Sequence, residues 1–342
     1  MSLTTKEIKN IKKALDESAR PIFFFDDDPD GVCSFVQFYK YKGDGKGVIL
    51  KTGHQLTEEL IRKVDEYQPD LVVILDIANV HQEFLDKINQ KVIWIDHHPV
   101  VERKKVEYYN PRLHDENDNR AVSYWTYQIV KKSLWTGMVG CVADWQITDL
   151  KDEFIKQYPD FMDKKIKKPD DALFETKTGL LARIISFSIK GSAREAMKIV
   201  KILTRIRDPR EITDQTTPQG AFVYKRFQKF YDEYKKILEN VKVTKSKLLL
   251  FTYNDNNTAV TSELSNELLH KHPDKFIIIG RERNEEVKMS LRSATKKVHP
   301  ILKKALEQVE GYGGGHDYAC GACVKKKDFK KFIEIIKKEL KK

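Results

Sequence analysis

The amino-acid sequence predicts an α/β fold: a domain built on a parallel sheet, a helical connector and a smaller α/β domain. Three observations support this prediction. From residue 5 to about 150, amphipathic segments alternate with short apolar segments, as in a parallel sheet whose strands are buried on both faces. A stretch of helical periodicity follows, and apolar strands return near residue 244. The 342 residues also exceed the usual length of one domain.

The apolar segments place the strands of the first domain. We expect them at residues 22–25, 47–50, 71–75 and 91–95. In the last domain, we expect strands at residues 248–251 and 275–280, on either side of a helix.

Helical periodicity from about residue 172 to 243, interrupted near Pro209 and Pro218, predicts the connector. The expected domains are therefore residues 1–170, 171–243 and 244–342.

Composition narrows the class of protein. Hydrophobic residues make up 40% of the chain and charged residues 33%, as in a soluble globular protein. No segment has the ~20 consecutive apolar residues of a membrane span, and the N-terminus lacks the apolar core of a signal peptide. We therefore expect a cytoplasmic protein without a membrane partner. The net charge of +11 favours an anionic partner such as nucleic acid.

Four cysteines show no spacing typical of a secreted disulfide framework. Cys320 and Cys323 form a single CxxC motif, whereas a structural zinc site needs four ligands. A small-residue turn is the favoured interpretation, with metal or redox use as the alternative.

Acidic residues follow three of the four predicted strands of the first domain. Asp26, Asp76 and Asp96 each come directly after the last apolar residue of a strand. Because α/β proteins bind ligands at the carboxyl edge of a parallel sheet, these three acids are expected to converge there.

The segment after the first strand concentrates carboxylates further, with aspartates at 26, 28 and 30. Their mutual repulsion favours a bound cation. Pro29 stiffens the turn, and Gly31 is expected to permit an unusual backbone angle before a helix. A generic calcium loop is the alternative, but the twelve-residue spacing and terminal glutamate of an EF-hand are missing.

Two histidines and a further acid complete the candidate site. His97 and His98 follow Asp96 directly, so they are expected to face the other acids. Asp144 ends a segment of small and apolar residues, as a helix packed beneath a site would.

In this order and spacing, Asp26 to Gly31, Asp76, Asp96-His97-His98 and Asp144 resemble the four signature motifs of the DHH phosphoesterase superfamily. Residues 288–293 and Gly313-Gly314-Gly315-His316 resemble its substrate-binding DHH-associated domain. The helical connector is similar to that of RecJ-like members. Some branches, including pyrophosphatases, have a histidine where this chain has Phe24, which favours the RecJ-like branch.

The resemblance implies a two-metal-ion phosphodiesterase with Mn²⁺ or Mg²⁺ as cofactor. The implied metal ligands are Asp28, Asp30, Asp76, His97 and Asp144, with Asp76 or Asp144 bridging the ions. Asp26 and Asp96 are implied as further acids that orient the ligands, and His98 as a phosphate contact. Carboxylates and imidazole without thiolate suit these two ions, and imidazole favours manganese.

On the second domain, Arg292 has a planar guanidinium that matches phosphate oxygens. The glycine run at Gly313, Gly314 and Gly315 is typical of a tight turn, and its backbone N–H groups are suited to phosphate. His316 is expected to donate to the same phosphate or its neighbour.

The implied substrate is single-stranded DNA or RNA, cut from the 5′ end. The alternative within the superfamily is a nanoRNase or 3′-phosphoadenosine 5′-phosphate phosphatase. A non-catalytic replication-fork scaffold is the alternative of another class, and replication or repair proteins are possible partners in either case. A basic surface is expected to follow the strand. It would use Lys201, Arg205, Arg207, Lys225, Arg226, Lys229, Lys288 and Lys296.

Overall fold

A computed structural model describes residues 2–51, 55–254 and 259–341. The chain divides into two compact units, Met1–Gln228 and Lys229–Lys342. The first unit contains a parallel sheet, and the second, smaller unit contains a mixed sheet with helices, so the predicted fold class is confirmed.

The first unit is built on a five-stranded parallel sheet. Its strands, with a separate two-stranded pair, are β1 (Pro21–Asp26), β2 (Lys46–Leu50), β3 (Gln55–Leu56), β4 (Leu71–Leu75), β5 (Asn79–Val80), β6 (Lys91–Ile95) and β7 (Glu107–Tyr109). The order is β2-β1-β4-β6-β7, and β3 pairs with β5. The four predicted strands are confirmed, since apolar runs of this length are stable only when both faces are covered.

Helices cover this sheet and continue beyond it. They are α1 (Thr5–Glu17), α2 (Pro29–Lys42), α3 (Ile61–Tyr67), α4 (Gln82–Lys87), α5 (Val122–Val130), α6 (Leu134–Ala143), α7 (Leu150–Gln157), α8 (Pro169–Glu175), α9 (Lys177–Ser188), α10 (Ala193–Leu203), α11 (Arg210–Thr213) and α12 (Pro218–Glu239). The boundary between the two units falls inside α12.

Strand β1 shows how the core is filled from both faces. Phe24 meets Phe84 edge to face, with ring centroids 5.7 Å apart, while Phe25 stacks on Phe35 at 4.6 Å. Because neighbouring strand residues point to opposite faces, the two rings bury opposite sides of the sheet. Phe24 is therefore a core residue. It occupies the position where the resemblance implies a histidine in other branches of the DHH superfamily, including pyrophosphatases.

The second unit begins within α12 and holds a mixed sheet and further helices. Its elements are β8 (Leu248–Asn254), α13 (Thr261–Lys271), β9 (Phe276–Arg283), β10 (Glu286–Ser293), α14 (Val298–Leu306), β11 (Gly311–His316), β12 (Ala319–Lys325) and α15 (Phe329–Leu340). The order is β11-β12-β10-β9-β8, with only β8 and β9 parallel. The two predicted strands correspond to β8 and β9.

The CxxC motif lies on β12, so the turn expected there is wrong. Cys320 packs in the core with Ala322 and Val324, whereas Cys323 is on the other face of the strand. The two thiols therefore cannot bind one ion or form a disulfide.

Across the described ranges, no helix is long and apolar enough to cross a membrane.

Candidate metal centre

The acidic loop connects β1 to α2. Asp26 is the last residue of β1, and Asp28 caps α2 by accepting a hydrogen bond from the Gly31 N–H at 2.9 Å. A Cβ on Gly31 would lie 2.8 Å from both the backbone N and the backbone O of Asp26. Gly31 is thus needed for close approach between helix and strand. The expected unusual backbone angle is wrong, because Gly31 has an ordinary helical conformation.

Asp30 is held by the start of α5. Its two carboxylate oxygens accept hydrogen bonds from the backbone N–H groups of Val122 at 2.7 Å and Ser123 at 2.8 Å. A carboxylate is stabilised there because the first N–H groups of a helix have no partners within the helix. Gly140 of α6 lies against this contact, and a Cβ on it would be 2.2 Å from Ser123 Oγ and 3.1 Å from Asp30 Oδ1.

Asp76 follows β4 in a left-handed conformation, with φ of 59°. Aspartate tolerates this region better than most residues, but the strain is still typical of a functional position. Its side chain is 2% exposed, and Oδ1 has no hydrogen-bond partner among the described residues. A buried carboxylate oxygen without a donor is the feature that a bound cation would satisfy.

Asp96 is completely buried beneath His98. It accepts hydrogen bonds from His98 Nδ1 at 2.8 Å and from the Tyr108 hydroxyl at 3.3 Å. Burial would lower the pKa of His98, but the hydrogen bond and negative charge of Asp96 outweigh it and raise that pKa. The contact with Asp96 therefore favours the protonated form of the partly exposed His98 imidazole.

His97 is oriented from the opposite side. Its Nδ1 lies 2.8 Å from the backbone oxygen of Asn119, which can only accept, so Nδ1 carries the hydrogen. Nε2 is then free to bind a metal and lies 3.3 Å from Asp76 Oδ1. A histidine held by a carbonyl in this way is common at metal sites.

Asp144 ends α6 and faces the same cluster. Its Oδ2 accepts a hydrogen bond from Gln146 Nε2 at 2.9 Å and lies 3.6 Å from His97 Nδ1. Gln146 also donates to the carbonyl of Asn119 at 2.6 Å. Gln146 therefore connects the segments that carry Asp144 and His97.

The structure brings these side chains into overlapping groups. In each group, the candidate ligand atoms lie within 4.8 Å of one another. The groups are Asp26, Asp28 and Asp76; Asp76, His97 and His98; and Asp30, His97 and Asp144. Asp76 and His97 each belong to two groups. Asp96 is in none of these groups, and it instead orients His98.

Crowded carboxylates resist ionisation here. Burial, then the charges of Asp26 and Asp30, raises the pKa of Asp28 to about 7. Burial, then the charges of Asp30 and Asp28, raises the pKa values of Asp76 and Asp144 well above the usual range. Divalent cations would remove this repulsion. The donor set of carboxylate oxygens and imidazole nitrogen fits Mn²⁺ or Mg²⁺.

The second unit contains the predicted phosphate-binding residues. Arg292, on β10, donates to Asn266 Oδ1 at 2.8 Å, to the Cys320 carbonyl at 3.0 Å and to Ser262 Oγ at 3.1 Å. Burial lowers the pKa of Arg292. Within the described chain, this guanidinium forms no ion pair. The guanidinium is thus held in place by neutral acceptors, and the charge of Glu263 acts on it from nearby.

The glycine run forms strand β11, so the tight turn, the alternative interpretation of the run, is wrong. Register pairs Gly313 with Ala322 and Gly315 with Cys320, because β12 provides a partner for the backbone of the run. A Cβ on Gly314 would meet nothing within 4 Å, and Gly315 has a φ of 139° that favours glycine. His316 ends the strand and is exposed.

Sequence reasoning missed several residues that shape the metal centre. Contacts between distant segments involve three of them, Gln146, Gly140 and Tyr108. The fourth, Asn119, acts through its main-chain carbonyl. A carbonyl has no side-chain signature, so no sequence signal could have identified Asn119.

Comparison with protein families gives two matches. Residues 22–156 match the DHH family, N-terminal domain, and residues 240–342 match the DHHA1 domain. No curated protein sequence matches the chain.

Solved structures with the same fold belong to proteins of different kinds. RecJ from Thermus thermophilus, in complex with Mn²⁺, is 15% identical with a TM-score of 0.62, over 98% of this chain and 55% of RecJ. The chain thus spans about half the length of that protein. CDC45 from Entamoeba histolytica is 10% identical with a TM-score of 0.54, over 97% of this chain and 98% of CDC45.

The pGpG-specific phosphodiesterase PggH from Vibrio cholerae is 12% identical with a TM-score of 0.51, over 93% of this chain and 98% of PggH. At these identities, the comparisons demonstrate a shared fold.

Proposed function

Given that the chain belongs to the DHH superfamily, with a DHH domain followed by a DHHA1 domain, we propose that it is a two-metal-ion phosphodiesterase acting on single-stranded nucleic acid. The observation that carries this proposal is the set of overlapping ligand groups that share Asp76 and His97. Shared ligands of this kind suit two neighbouring cations better than one. The orphaned Oδ1 of Asp76 lies where the groups meet.

Asp28, Asp30, Asp76, His97 and Asp144 would hold the ions. When bound, two divalent ions supply the charge that activates a water and stabilises the leaving oxygen of an in-line displacement. The protein's contribution is to fix these ligands. Asp30 is anchored by α5, His97 by the Asn119 carbonyl and Asp144 by Gln146. Asp26 lies in the same cluster and joins this set.

We assign phosphate contact to His98, Arg292 and the glycine run. The raised pKa of His98 favours the imidazolium, which donates to a phosphate oxygen. Arg292 offers a guanidinium that forms no ion pair in the described chain, and the free edge of β11 offers backbone N–H groups at alternate positions of the run Gly313 to Gly315. His316 supplies a further donor beside them.

Single strands are the favoured substrate, and we propose attack from the 5′ end by analogy with the RecJ fold. The likeness to PggH favours a second candidate, hydrolysis of dinucleotides. A non-catalytic scaffold role is less favoured, because each acid of the four sequence motifs is present. Replication or repair proteins stay possible partners.

A time course on 5′-labelled and 3′-labelled single strands tests the proposal. Strands of about 20 nucleotides and dinucleotides should be compared with Mn²⁺, Mg²⁺ or chelator. We expect metal-dependent shortening with higher kcat/KM on the long strand. Higher kcat/KM on the dinucleotide would select the second candidate. Absence of turnover in every metal would contradict both and favour the scaffold.

A further inference from the structure

A cavity of about 770 Å³ lies beside β2, the edge strand of the first unit's sheet. One wall is residues 45–49, and the other comes from α10 and the turn after it. We call this cavity the β2 groove. None of its lining residues belongs to the metal centre described above.

Five cationic side chains line the β2 groove, and no carboxylate does. They are Lys46, Lys63, Arg194, Lys201 and Arg205. Lys63 pairs with the exposed Glu66 at 2.9 Å. The other four form no ion pair within the parts of the chain that the structure describes. The groove therefore concentrates positive charge that the described protein leaves uncompensated.

The cations on α10 form a row. Arg194 and Lys201 are seven residues apart, so they lie on one face at a separation of about 10 Å. Arg205 extends the same face beyond the end of the helix. An extended chain of phosphates is the type of anion that such a row can follow, because each cation can meet a separate charge.

Aromatic and apolar side chains form the floor. Phe35, Tyr39 and Met197 line the groove, with the rings of Phe35 and Tyr39 5.6 Å apart. Phe35 is only 2% exposed and stacks on Phe25 in the core, so Tyr39 and Met197 form the accessible part of the floor. A Cβ on Gly47 would lie 2.7 Å from Phe35 and 3.1 Å from Met197, so glycine allows them to cover the strand. Cations beside the partly exposed ring of Tyr39 suit single-stranded nucleic acid, because a base can stack on such a ring while the cations meet the backbone.

We propose that the β2 groove binds the backbone phosphates of single-stranded nucleic acid, at a site additional to the metal centre. The identity of the strand rests on the proposed function, whereas the anion site rests on the five cations. An acidic protein segment is the less favoured occupant, because carboxylate side chains do not stack on an aromatic ring as bases do.

The groove continues toward the metal centre. A second cavity of about 870 Å³ shares Val48, Ile49, Lys63 and Ala193 with it and reaches Lys51. Lys51 Nζ contacts Asp27 Oδ2 at 2.7 Å, inside the acidic loop. This second cavity also carries Glu58, Glu59 and Glu83, so phosphate affinity is concentrated in the β2 groove.

The groove revises the basic surface expected from the sequence. Lys201 and Arg205 line it, as do Lys46 and Arg194, which were not expected. Arg226, by contrast, is held within the protein, donating to the carbonyls of Ser188 and Lys190.

Binding of a fluorescein-labelled 20-nucleotide oligothymidylate, without divalent ions, tests the proposal. The test variant is Lys201→Gln/Arg205→Gln in the full chain. The control is Lys164→Gln/Lys165→Gln, which removes the same charge from exposed positions outside the groove. We expect the test variant to raise Kd about tenfold and to reduce the slope of log K against log salt by about 1.4, from two lost phosphate contacts. The control should change Kd by less than about twofold.

If the two variants have equal Kd values and equal slopes of log K against log salt, the proposal that the groove binds the strand is wrong. A poly-glutamate peptide that displaces the labelled strand at lower concentration than unlabelled oligothymidylate would also overturn it, since the groove would then favour acidic protein. Turnover of a dinucleotide in Mn²⁺ separates the two proposals. If the wild-type protein cleaves nothing while the test variant still loses strand affinity, the proposed function fails and the groove stands. If the wild-type protein cleaves normally and the test variant keeps its affinity for the strand, the groove fails and the proposed function stands.

Discussion

The imidazole of His97 is held between the main-chain carbonyl of Asn119, 2.8 Å from Nδ1, and the carboxylate of Asp76, 3.3 Å from Nε2. The carbonyl fixes the tautomer, and the free nitrogen faces Asp76 Oδ1, a buried oxygen that has no hydrogen-bond donor among the described residues. Both residues are shared between ligand groups. The contact between His97 and Asp76 is therefore the centre of the proposed metal site.

Replacing Asp76 by Asn should abolish activity while keeping the fold. Asn tolerates the left-handed backbone at this position, so the strain does not increase. Loss of a shared ligand charge should lower kcat at least about 100-fold in Mn²⁺. Single-turnover assays measure this effect. Asp27→Asn is the matched control, because Asp27 lies in the acidic loop but in none of the ligand groups. Near wild-type turnover of Asp76→Asn would contradict the site.

Without metal, the protein should lose stability as pH rises from about 4 to 7. An unfolded aspartate releases its proton near pH 4, whereas the pKa of Asp28 in the folded protein is about 7. Between these values the folded state binds more protons than the unfolded state, so the free energy of unfolding falls with increasing pH. Thermal melts in chelator should show this fall, and Asp28→Asn should reduce it.

Mn²⁺ should reverse this loss, and its stabilising effect should be larger at pH 8 than at pH 5 because protons compete with the ion for the same carboxylates. An increase in Tm that is independent of pH would indicate that the ion binds elsewhere.

The sequence predicted those parts of the site that follow from regular strands. Asp26 and Asp76 meet in one ligand group because parallel strands end at one edge of the sheet, whereas Asp96, after the next strand, contacts His98. Contacts between distant segments had no such signal. The start of α5 binds Asp30, although the two segments are 92 residues apart in the sequence. Glycine is needed at position 31 because the backbone of Asp26 lies too close for a Cβ, and not because of the φ angle of Gly31.

The glycine run illustrates the same limit in the second unit. Its composition favours a turn, but pairing with β12 gives a strand. Tertiary context decides such segments, because glycine has little preference of its own.

The charge of Asp96 should set the alkaline limit of activity through His98. Asp96→Asn removes the charge that raises the pKa of His98, so the imidazolium should be lost at lower pH. We expect the alkaline limb of the kcat/KM profile to move to lower pH, measured between about pH 6 and 9. Tyr108→Phe is the control, because it removes another hydrogen bond to Asp96 and no negative charge. An identical shift in both variants would show that packing, and not charge, is responsible.

Gly140→Ala should damage the site through packing. The new methyl group would meet Ser123 Oγ at 2.2 Å and press on Asp30, at a cost of about 1–3 kcal/mol in unfolding free energy. Metal affinity should fall with it, since Ser123 helps to hold Asp30. Adding Ser123→Gly should restore part of both losses, as measured by denaturant unfolding and calorimetry. Gly314→Ala is the control for stability, because a Cβ there meets nothing within 4 Å. Equal destabilisation by the two alanines would exclude the steric explanation.

Arg292 should affect substrate binding and leave metal binding unchanged. Arg292→Ala should lower kcat/KM by about 10–100-fold, mainly through KM, because a charge-assisted phosphate contact is lost. Arg292→Lys should recover only part of this, since an ammonium keeps the charge but not the planar fork. Because Arg292 also donates to Asn266, the alanine variant should have a lower Tm. Asn266→Ala removes that internal bond while keeping the cation, so it should reproduce the Tm loss without the full rise in KM. Calorimetric loss of Mn²⁺ affinity in Arg292→Lys would contradict this separation of roles.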